Sequence, residues 1–483
     1  MKHEEASPEE AAVNHEVWSL AAQWGSDSRM NELETFMWRS ERHPYRSSTI
    51  CSLAMLAEEP DWERLYAAHQ WAAELIPRMS ERVLEPSVPV GPAAWVADPA
   101  FDLDYHLRRA QLRAPGTQAQ LLEFVQGEAM RPFDRTRPLW EGTLIEGLED
   151  GKAAYLLKLH HSLTDGLGGI QLMALVQSRT PKHTPKQPID HSHRQPPEPD
   201  PNRLAVDEAT EQARAVPQAA RKLLATGLQG LSSPGTSVSS TLRFTGSLRR
   251  MLSPPPTGGS PLWRQRTGRV WRFGTLECEF ARLRAAAKVT SASVNDAYVA
   301  ALLGGIRRYH EDHDVELDKL PMAMPLSVRK SDDPMGGNKF AGAMFAAPVS
   351  IEDPAERIAT IRGIVLSVRV EPALDTLSLI TPVVNRLPSS VGAAAAQISS
   401  AADLSASNVP GLPYATYMAG AKVEKVIPFG PLPGVAVMAA MVTHNGTCCI
   451  GLNMDGSVIN DPEHLIACMH AGFDEVLALA DQK

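Results

Sequence analysis

The run Ala153-Ala154-Tyr155-Leu156-Leu157-Lys158-Leu159-His160-His161 constrains this chain more than any other feature. It reads as a mostly buried strand. The residues after it, Ser162-Leu163-Thr164-Asp165-Gly166, form a turn, and Gly166 to Gln177 reads as a helix. At 483 residues the chain is too long for one ordinary core, and two domains are expected.

Other local signals agree. Asp61 precedes a helical stretch with Leu65, Ala68, Ala72 and Leu75 at spacings of three and four. Ser293 is placed to cap a helix carrying Val294, Tyr298, Ala301 and Leu302 on one face. Asp353-Pro354 and Asp461-Pro462 read as cap-plus-proline starts of amphipathic helices. Between them, Lys422 to Asn453 holds short apolar runs broken by Pro-Phe-Gly, Pro-Leu-Pro-Gly and Asn-Gly, the pattern of a strand meander. Strands and helices in both halves indicate an α/β protein. The expected organisation is an acidic leader (1–28), a first domain (29–180), a Pro-, His- and Lys-rich linker and basic crossover (181–259), and a second domain (260–483).

Composition excludes several classes. No run of about 18 apolar residues occurs, so no membrane-spanning helix is expected. The opening Met-Lys-His-Glu-Glu is wrong for a secretory signal, which points to the cytoplasm. Five cysteines, Cys51, Cys278, Cys448, Cys449 and Cys468, lack metal-type C-x-x-C spacing and read as small buried hydrophobes in a reducing compartment. A net charge of −9 argues against nucleic acid as a partner. Against it stands a local asymmetry: no acidic residue falls between Glu211 and Glu277, while ten Arg or Lys do, among them Arg221, Lys222, Arg249, Arg250, Arg264, Arg266 and Arg269. That segment is either a solvated crossover or a surface for phosphate, on lipid headgroups or on a co-substrate.

The chemistry concentrates at the histidines. Side chains alternate along a strand, so His160 and His161 point to opposite faces and only one can enter a shared cleft. A histidine serves as a general base near neutral pH and can return the proton to a leaving group. Asp165 is placed to orient the strand end through a backbone amide or an arginine, and Gly166 to permit a tight backbone path. By chemistry alone a structural role is the favoured reading of the pair, and the motif is suggestive and no more. Metal binding is disfavoured by the divergence of the two side chains, and no metal is expected.

His-His-x-x-x-Asp-Gly on a strand-to-helix turn resembles the motif of CoA-dependent and condensation-type acyltransferases. Further segments narrow the resemblance to the bacterial wax ester synthase/diacylglycerol acyltransferase family: Phe101-Asp102-Leu103-Asp104-Tyr105-His106, Pro138-Leu139-Trp140-Glu141, Val294-Asn295-Asp296, Pro325-Leu326-Ser327-Val328-Arg329 with Gly337-Asn338, Ser407-Asn408-Val409-Pro410-Gly411 with Tyr417-Met418-Ala419-Gly420-Ala421, and Asn460-Asp461. They run in family order from about Glu34 to the C-terminus. The resemblance implies two chloramphenicol-acetyltransferase-like domains with a channel at their interface, His161 as base and Asp165 as a structural residue. It places Asn295 and Asp296 near the channel, although Asp296 also fits a capping box with Ser293. Trp140 is expected in the core or the channel wall, and Arg329 is the candidate partner of Asp165. Departures are Glu34, with Phe36 and Glu41, where the family has Asp, Phe and Glu, then Pro44-Tyr45-Arg46 for its Pro-Met-His, Thr443-His444-Asn445-Gly446 for Ser-Tyr-x-Gly, and the leader.

The implied reaction is transfer of an acyl group from acyl-CoA, a co-substrate, to a long-chain alcohol or diacylglycerol, giving wax ester or triacylglycerol. No cofactor and no covalent intermediate is expected, and no G-x-S-x-G elbow supports a serine-hydrolase route. Both lipids partition into membranes or droplets, so peripheral attachment there is expected. Two other readings stay open: a condensation-type transferase using an acylated carrier protein, and a non-catalytic lipid-binding protein.

Overall fold

The apolar run is a strand, Ala153–His160, buried at all eight positions. In this computed structural model the described residues are 24–25, 27–42, 46–88, 91–182, 200–210, 257–327, 336–338, 340–369, 381, 385 and 402–481. Their strands, in chain order, are β1 (Thr49–Leu56), β2 (Glu81–Leu84), β3 (Ala94–Ala97), β4 (Leu107–Gln111), β5 (Trp140–Glu146), β6 (Ala153–His160), β7 (Trp271–Glu279), β8 (Lys319–Ser327), β9 (Phe340–Pro348), β10 (Leu404–Val409), β11 (Thr416–Met418), β12 (Ala421–Phe429), β13 (Val437–His444) and β14 (Thr447–Asp455). The helices among the described residues include α1 (Glu32–Ser40), α2 (Trp62–Leu75), α3 (Leu103–His106), α4 (Gln118–Met130), α5 (Gly166–Val176), α6 (Phe280–Val289), α7 (Val294–Glu311), α8 (Pro354–Arg369) and α9 (Pro462–Ala478).

Two six-stranded sheets carry the fold, ordered β11-β12-β1-β6-β5-β4 and β7-β14-β13-β10-β8-β9. One face of β6 presents Tyr155, Leu157 and Leu159 to the core of the first half. The other presents Ala154 and Leu156 to an apolar layer shared by both halves, with Trp271, Phe273 and Phe429. This double burial is why the run lacks alternation. Phe273 and Phe429 stack at 4.1 Å between ring centroids. Gly451 lets the sheets meet, since a Cβ there would lie 1.8 Å from the Pro428 carbonyl oxygen.

Asp61 and Ser293 cap their helices as expected, whereas Asp461 makes no side-chain cap bond at the start of α9. The Asp61 side chain accepts from Arg64 N–H at the start of α2. Ser293 and Asp296 form a reciprocal capping box at the start of α7. The meander reading of 422–453 needs correction. β13 and β14 form a hairpin, but β12 pairs with β11 and β1 in the other sheet. Pro428 and Phe429 end β12, and Gly430-Pro431-Leu432-Pro433-Gly434 is a passage between sheets rather than a hairpin turn. Strands β11 and β12, within the stretch 260–483, thus complete the sheet of the first half.

Of the leader, residues 1–23 and 26 lie outside the described residues. Trp24, however, is fully buried, and Ser28 O accepts from Trp95 N–H at 2.9 Å. Most of the basic segment, including Arg221, Lys222, Arg249 and Arg250, also lies outside them, as does Arg329. Arg266 does not face solvent as a free cation. It pairs with the buried carboxylate of Asp403 and donates to the carbonyls of Trp263, Ala402 and Gly434. All five cysteines are buried and unbridged. No helix among the described residues is long and apolar enough to cross a membrane.

Candidate active site

β6 ends at His160, and the next residue stays tied to the sheet, because His161 N–H donates to Ser48 O at 2.7 Å. The two imidazoles enter different surroundings. His160 is fully buried. Its Nδ1 accepts from the Ser162 backbone N–H at 3.0 Å, so Nε2 carries the proton and donates to Glu41 Oε2 at 2.9 Å. Trp38 and Phe133 pack edge-on against the ring.

His161 faces a loop of the second half. Its Nδ1 lies 3.0 Å from Asn338 Oδ1, and Asn338 Nδ2 donates to His161 O at 2.7 Å. Since the amide nitrogen is used on the carbonyl, Oδ1 is the acceptor and Nδ1 holds the ring proton. The basic lone pair therefore belongs to Nε2. Desolvation lowers the imidazole pKa below its usual value, and the Asp165 charge and the Asn338 hydrogen bond oppose it only in part.

Asn338 is itself fixed. Its N–H donates to Glu34 Oε1 at 3.0 Å, and its carbonyl accepts from Asn31 Nδ2 at 3.2 Å. Glu34 Oε2 accepts from Asn31 N–H at 3.0 Å, in the capping box that starts α1. Burial raises the Glu34 carboxyl against the pull of Arg78. Gly336 and Gly337 both take positive φ, 76° and 66°, which β-carbon-bearing residues rarely adopt. That conformation brings Gly337 alongside Thr164 in a parallel bridge, where its carbonyl accepts from Asp165 N–H at 3.2 Å. Both ends of the histidine turn are thus pinned by one loop between β8 and β9.

Asp165 is the N-cap of α5, its Oδ1 accepting from Gly168 N–H at 3.0 Å. This is the backbone amide that sequence reading offered as one of two partners. Gly166 is required by space rather than by φ, because a Cβ would lie 2.7 Å from Val409 Cγ2 on β10. Trp140 sits in the core of the first half. It is fully buried, donates Nε1–H to Met79 O at 2.7 Å, and stacks on His106 at 4.9 Å. The segment 101–106 serves the same stack through Phe101 and His106. Asp296 is committed to capping α7, and Asn295 Nδ2 rests on Met324 Sδ at 3.3 Å. The structure therefore joins His160, His161, Asp165 and Gly166 in one turn and gives Trp140, Asn295 and Asp296 partners in the cores. Sequence reading gave Asn338 no role; the Gly336-Gly337-Asn338 run, two turn-forming residues before an amide, is the signal it carried. A cleft of about 430 Å³ between the halves, lined by Met55, Leu148, Lys152, Thr275, Glu277 and His470, opens at the far end of β6, roughly 23 Å along the strand from His161.

Comparison with known proteins identifies this architecture. Residues 29–298 match the wax ester synthase/diacylglycerol acyltransferase catalytic domain, and residues 336–476 match the C-terminal domain of that family. A putative diacylglycerol O-acyltransferase of Mycobacterium tuberculosis is 36% identical over 473 residues, covering 95% of this chain and 94% of the relative. The wax ester synthase/diacylglycerol acyltransferase from Marinobacter aquaeolei VT8 superposes with a TM-score of 0.62 at 22% identity, covering 94% of this chain and all of that one. The first condensation domain of the calcium-dependent antibiotic synthetase gives 0.59 at 13% identity, over 94% of this chain and 96% of that domain, a likeness of fold. The two sheet-rich halves are thus of the chloramphenicol-acetyltransferase-like kind. The chain belongs to the wax ester synthase/diacylglycerol acyltransferase family.

Proposed function

We propose that this O-acyltransferase uses His161 Nε2 as the general base for acyl transfer from acyl-CoA to a long-chain alcohol or diacylglycerol. The observation that carries the proposal is the reciprocal His161–Asn338 pair, which places the ring proton on Nδ1 and the lone pair on Nε2. Nε2 takes the proton of the acceptor hydroxyl as its oxygen attacks the thioester carbonyl. The tetrahedral intermediate collapses, the C–S bond breaks, and the CoA thiolate leaves with the proton from the imidazolium. The lowered pKa keeps the imidazole neutral at physiological pH, the form a base requires. Nothing in this sequence of steps calls for a metal, a cofactor or an acyl-enzyme. Glu34, Asn31 and Asn338 act as positioning residues.

The test is turnover with radiolabelled palmitoyl-CoA and either hexadecanol or dioleoylglycerol, with the lipid products separated. His161→Ala should lower turnover by roughly 10²–10⁴-fold while the protein stays folded. Near-parental activity in a folded His161→Ala protein would reject His161 as the base. Turnover only with an acylated carrier protein would reject free acyl-CoA as donor, and bound acyl lipid without turnover would reject catalysis.

Attachment to a membrane or lipid-droplet surface is the matching proposal for access to both lipids. Arg249, Arg250 and Arg264 are suited to an anionic leaflet, each cation contributing about 1 kcal/mol near such a surface. Binding to anionic vesicles should weaken with salt and with substitution of those three by Gln.

A further inference from the structure

A second cluster of chemically active side chains lies where the end of α7 meets the start of α9, remote from the histidine turn. His464 and Cys468 are four residues apart on α9 and so share one face. Asp312 is the C-cap of α7. His464 Nε2 lies 3.0 Å from Asp312 Oδ2. Cys468 Sγ lies 3.7 Å from the same oxygen and 3.8 Å from His464 Nε2. These three donor atoms form a triangle with two similar long edges to sulfur, 3.7 and 3.8 Å, and one shorter edge of 3.0 Å. A tetrahedral zinc ion, with bonds of about 2.3 Å to sulfur and about 2.0–2.2 Å to nitrogen and oxygen, sets its donors roughly 3.4–3.6 Å apart. The triangle already matches within a few tenths of an ångström.

The surroundings are those of a supported site. His313 Nδ1–H donates to Tyr309 O at 2.7 Å, which turns its Nε2 to Asp461 Oδ2 at 3.2 Å. Tyr309 O–H donates to Asp461 Oδ1. Asp461 was expected to cap α9, yet it makes no side-chain cap bond, because its carboxylate is turned to this cluster. The His313 and His464 ring centroids are 5.9 Å apart. Cys468 is buried, whereas the side chains of Asp312 and His464 are 52% and 41% exposed, so an ion arriving from solvent meets the outer ligands first.

We propose that Asp312 Oδ2, His464 Nε2 and Cys468 Sγ form a zinc-binding site that clips the end of α7 to the start of α9, with water in the fourth position. A thiolate and an imidazole select a borderline-soft ion over magnesium or calcium, which prefer all-oxygen ligands. The thiol gives its proton to solvent on binding, and the thiolate and carboxylate then balance the two positive charges. Neither helix supplies a group to the histidine turn, so the metal braces the second half and takes no part in acyl transfer. A search for C-x-x-C spacing cannot find this set, because Asp312 and Cys468 are 156 residues apart.

The experiment uses the full chain, stripped with chelator and titrated with zinc against a chromophoric competitor, then loaded with cobalt as a spectroscopic probe. The expected result is a single tight zinc equivalent, a raised Tm, and a thiolate-to-cobalt charge-transfer band. Cys468→Ser should abolish that band and the zinc-dependent rise in Tm, while leaving acyl transfer by metal-free protein at the parental level. His464→Ala and Asp312→Asn should each weaken zinc by at least the roughly 10–100-fold that loss of an outer-shell partner costs. A charge-transfer band that survives Cys468→Ser, or zinc affinity unchanged in all three variants, would overturn the site. So would zinc binding that disappears instead when His183, His191 and His193 are replaced by Ala.

Discussion

Asn338 and His161 hold one another in both directions, the imidazole Nδ1–H donating to the amide oxygen and the amide nitrogen donating to the histidine's own carbonyl. One side chain thereby fixes the tautomer, the ring orientation and the backbone of the proposed base. Asn338→Asp should place a carboxylate on Nδ1–H and raise the His161 pKa, because the adjacent negative charge favours the imidazolium. In the parent the pKa is lowered, so the neutral, active form persists below the usual histidine midpoint and the acid limb of kcat/KM lies below about pH 6.5. The variant's acid limb should move upward. A pH–rate profile that does not move would show that Asn338 leaves the base untouched.

His160 should report stability rather than turnover. Its Nε2–H satisfies Glu41, and its ring fills a space between Trp38 and Phe133. His160→Ala leaves a cavity and a carboxylate without that donor, costing roughly 2–4 kcal/mol. Urea unfolding of both histidine variants checks this: a large loss is expected for His160→Ala and a small one for His161→Ala.

Arg266 separates structure from surface charge. Its partner Asp403 is 2% exposed, so Arg266→Gln strands a buried carboxylate at a cost of roughly 3 kcal/mol. Arg264 is exposed, and Arg264→Gln should leave Tm within about one degree of the parent. Equal Tm values for the two variants would contradict the role assigned to Arg266.

His69 makes the fold acid-sensitive. Burial pushes its pKa down to about 4, with Nδ1 against Leu65 O at 2.8 Å and Nε2 2.6 Å from the Tyr155 hydroxyl. The unfolded chain takes up this proton near pH 6.5 and the folded chain only near pH 4. Stability from this group is therefore complete above pH 6.5 and lost as pH falls through that window. Between pH 7 and 4.5 the parent should lose about 2–3 kcal/mol more than His69→Gln, measured by urea unfolding.

What was legible in the sequence is what adjacent residues decide. Asp61, Ser293 and Asp296 cap their helices because the side chain and the amide it serves lie within three residues of each other. The apolar run of 153–160 reported a mostly buried strand. The histidine turn was readable for the same reason, together with its resemblance to a family. Asn338 was seen as part of a motif but given no task, because its partner lies 177 residues away. Arg266 looked like surface charge because Asp403, which buries it, lies 137 residues downstream. Trp140 could not be placed between core and channel without the His106 and His69 rings that stack beside it.

The crossing of β12 into the first sheet also bears on how the chain is made. β1 has β6 on one side and β12 on the other. During synthesis, β12 leaves the ribosome about 370 residues after β1, a delay of roughly 20–75 s at ordinary elongation rates of about 5–20 residues per second. Throughout that time Thr49–Leu56, with Leu53, Ala54 and Leu56 destined for full burial, is an apolar strand with one open edge. A first half still lacking β12 would therefore carry an exposed apolar strand edge, a template for pairing with another chain.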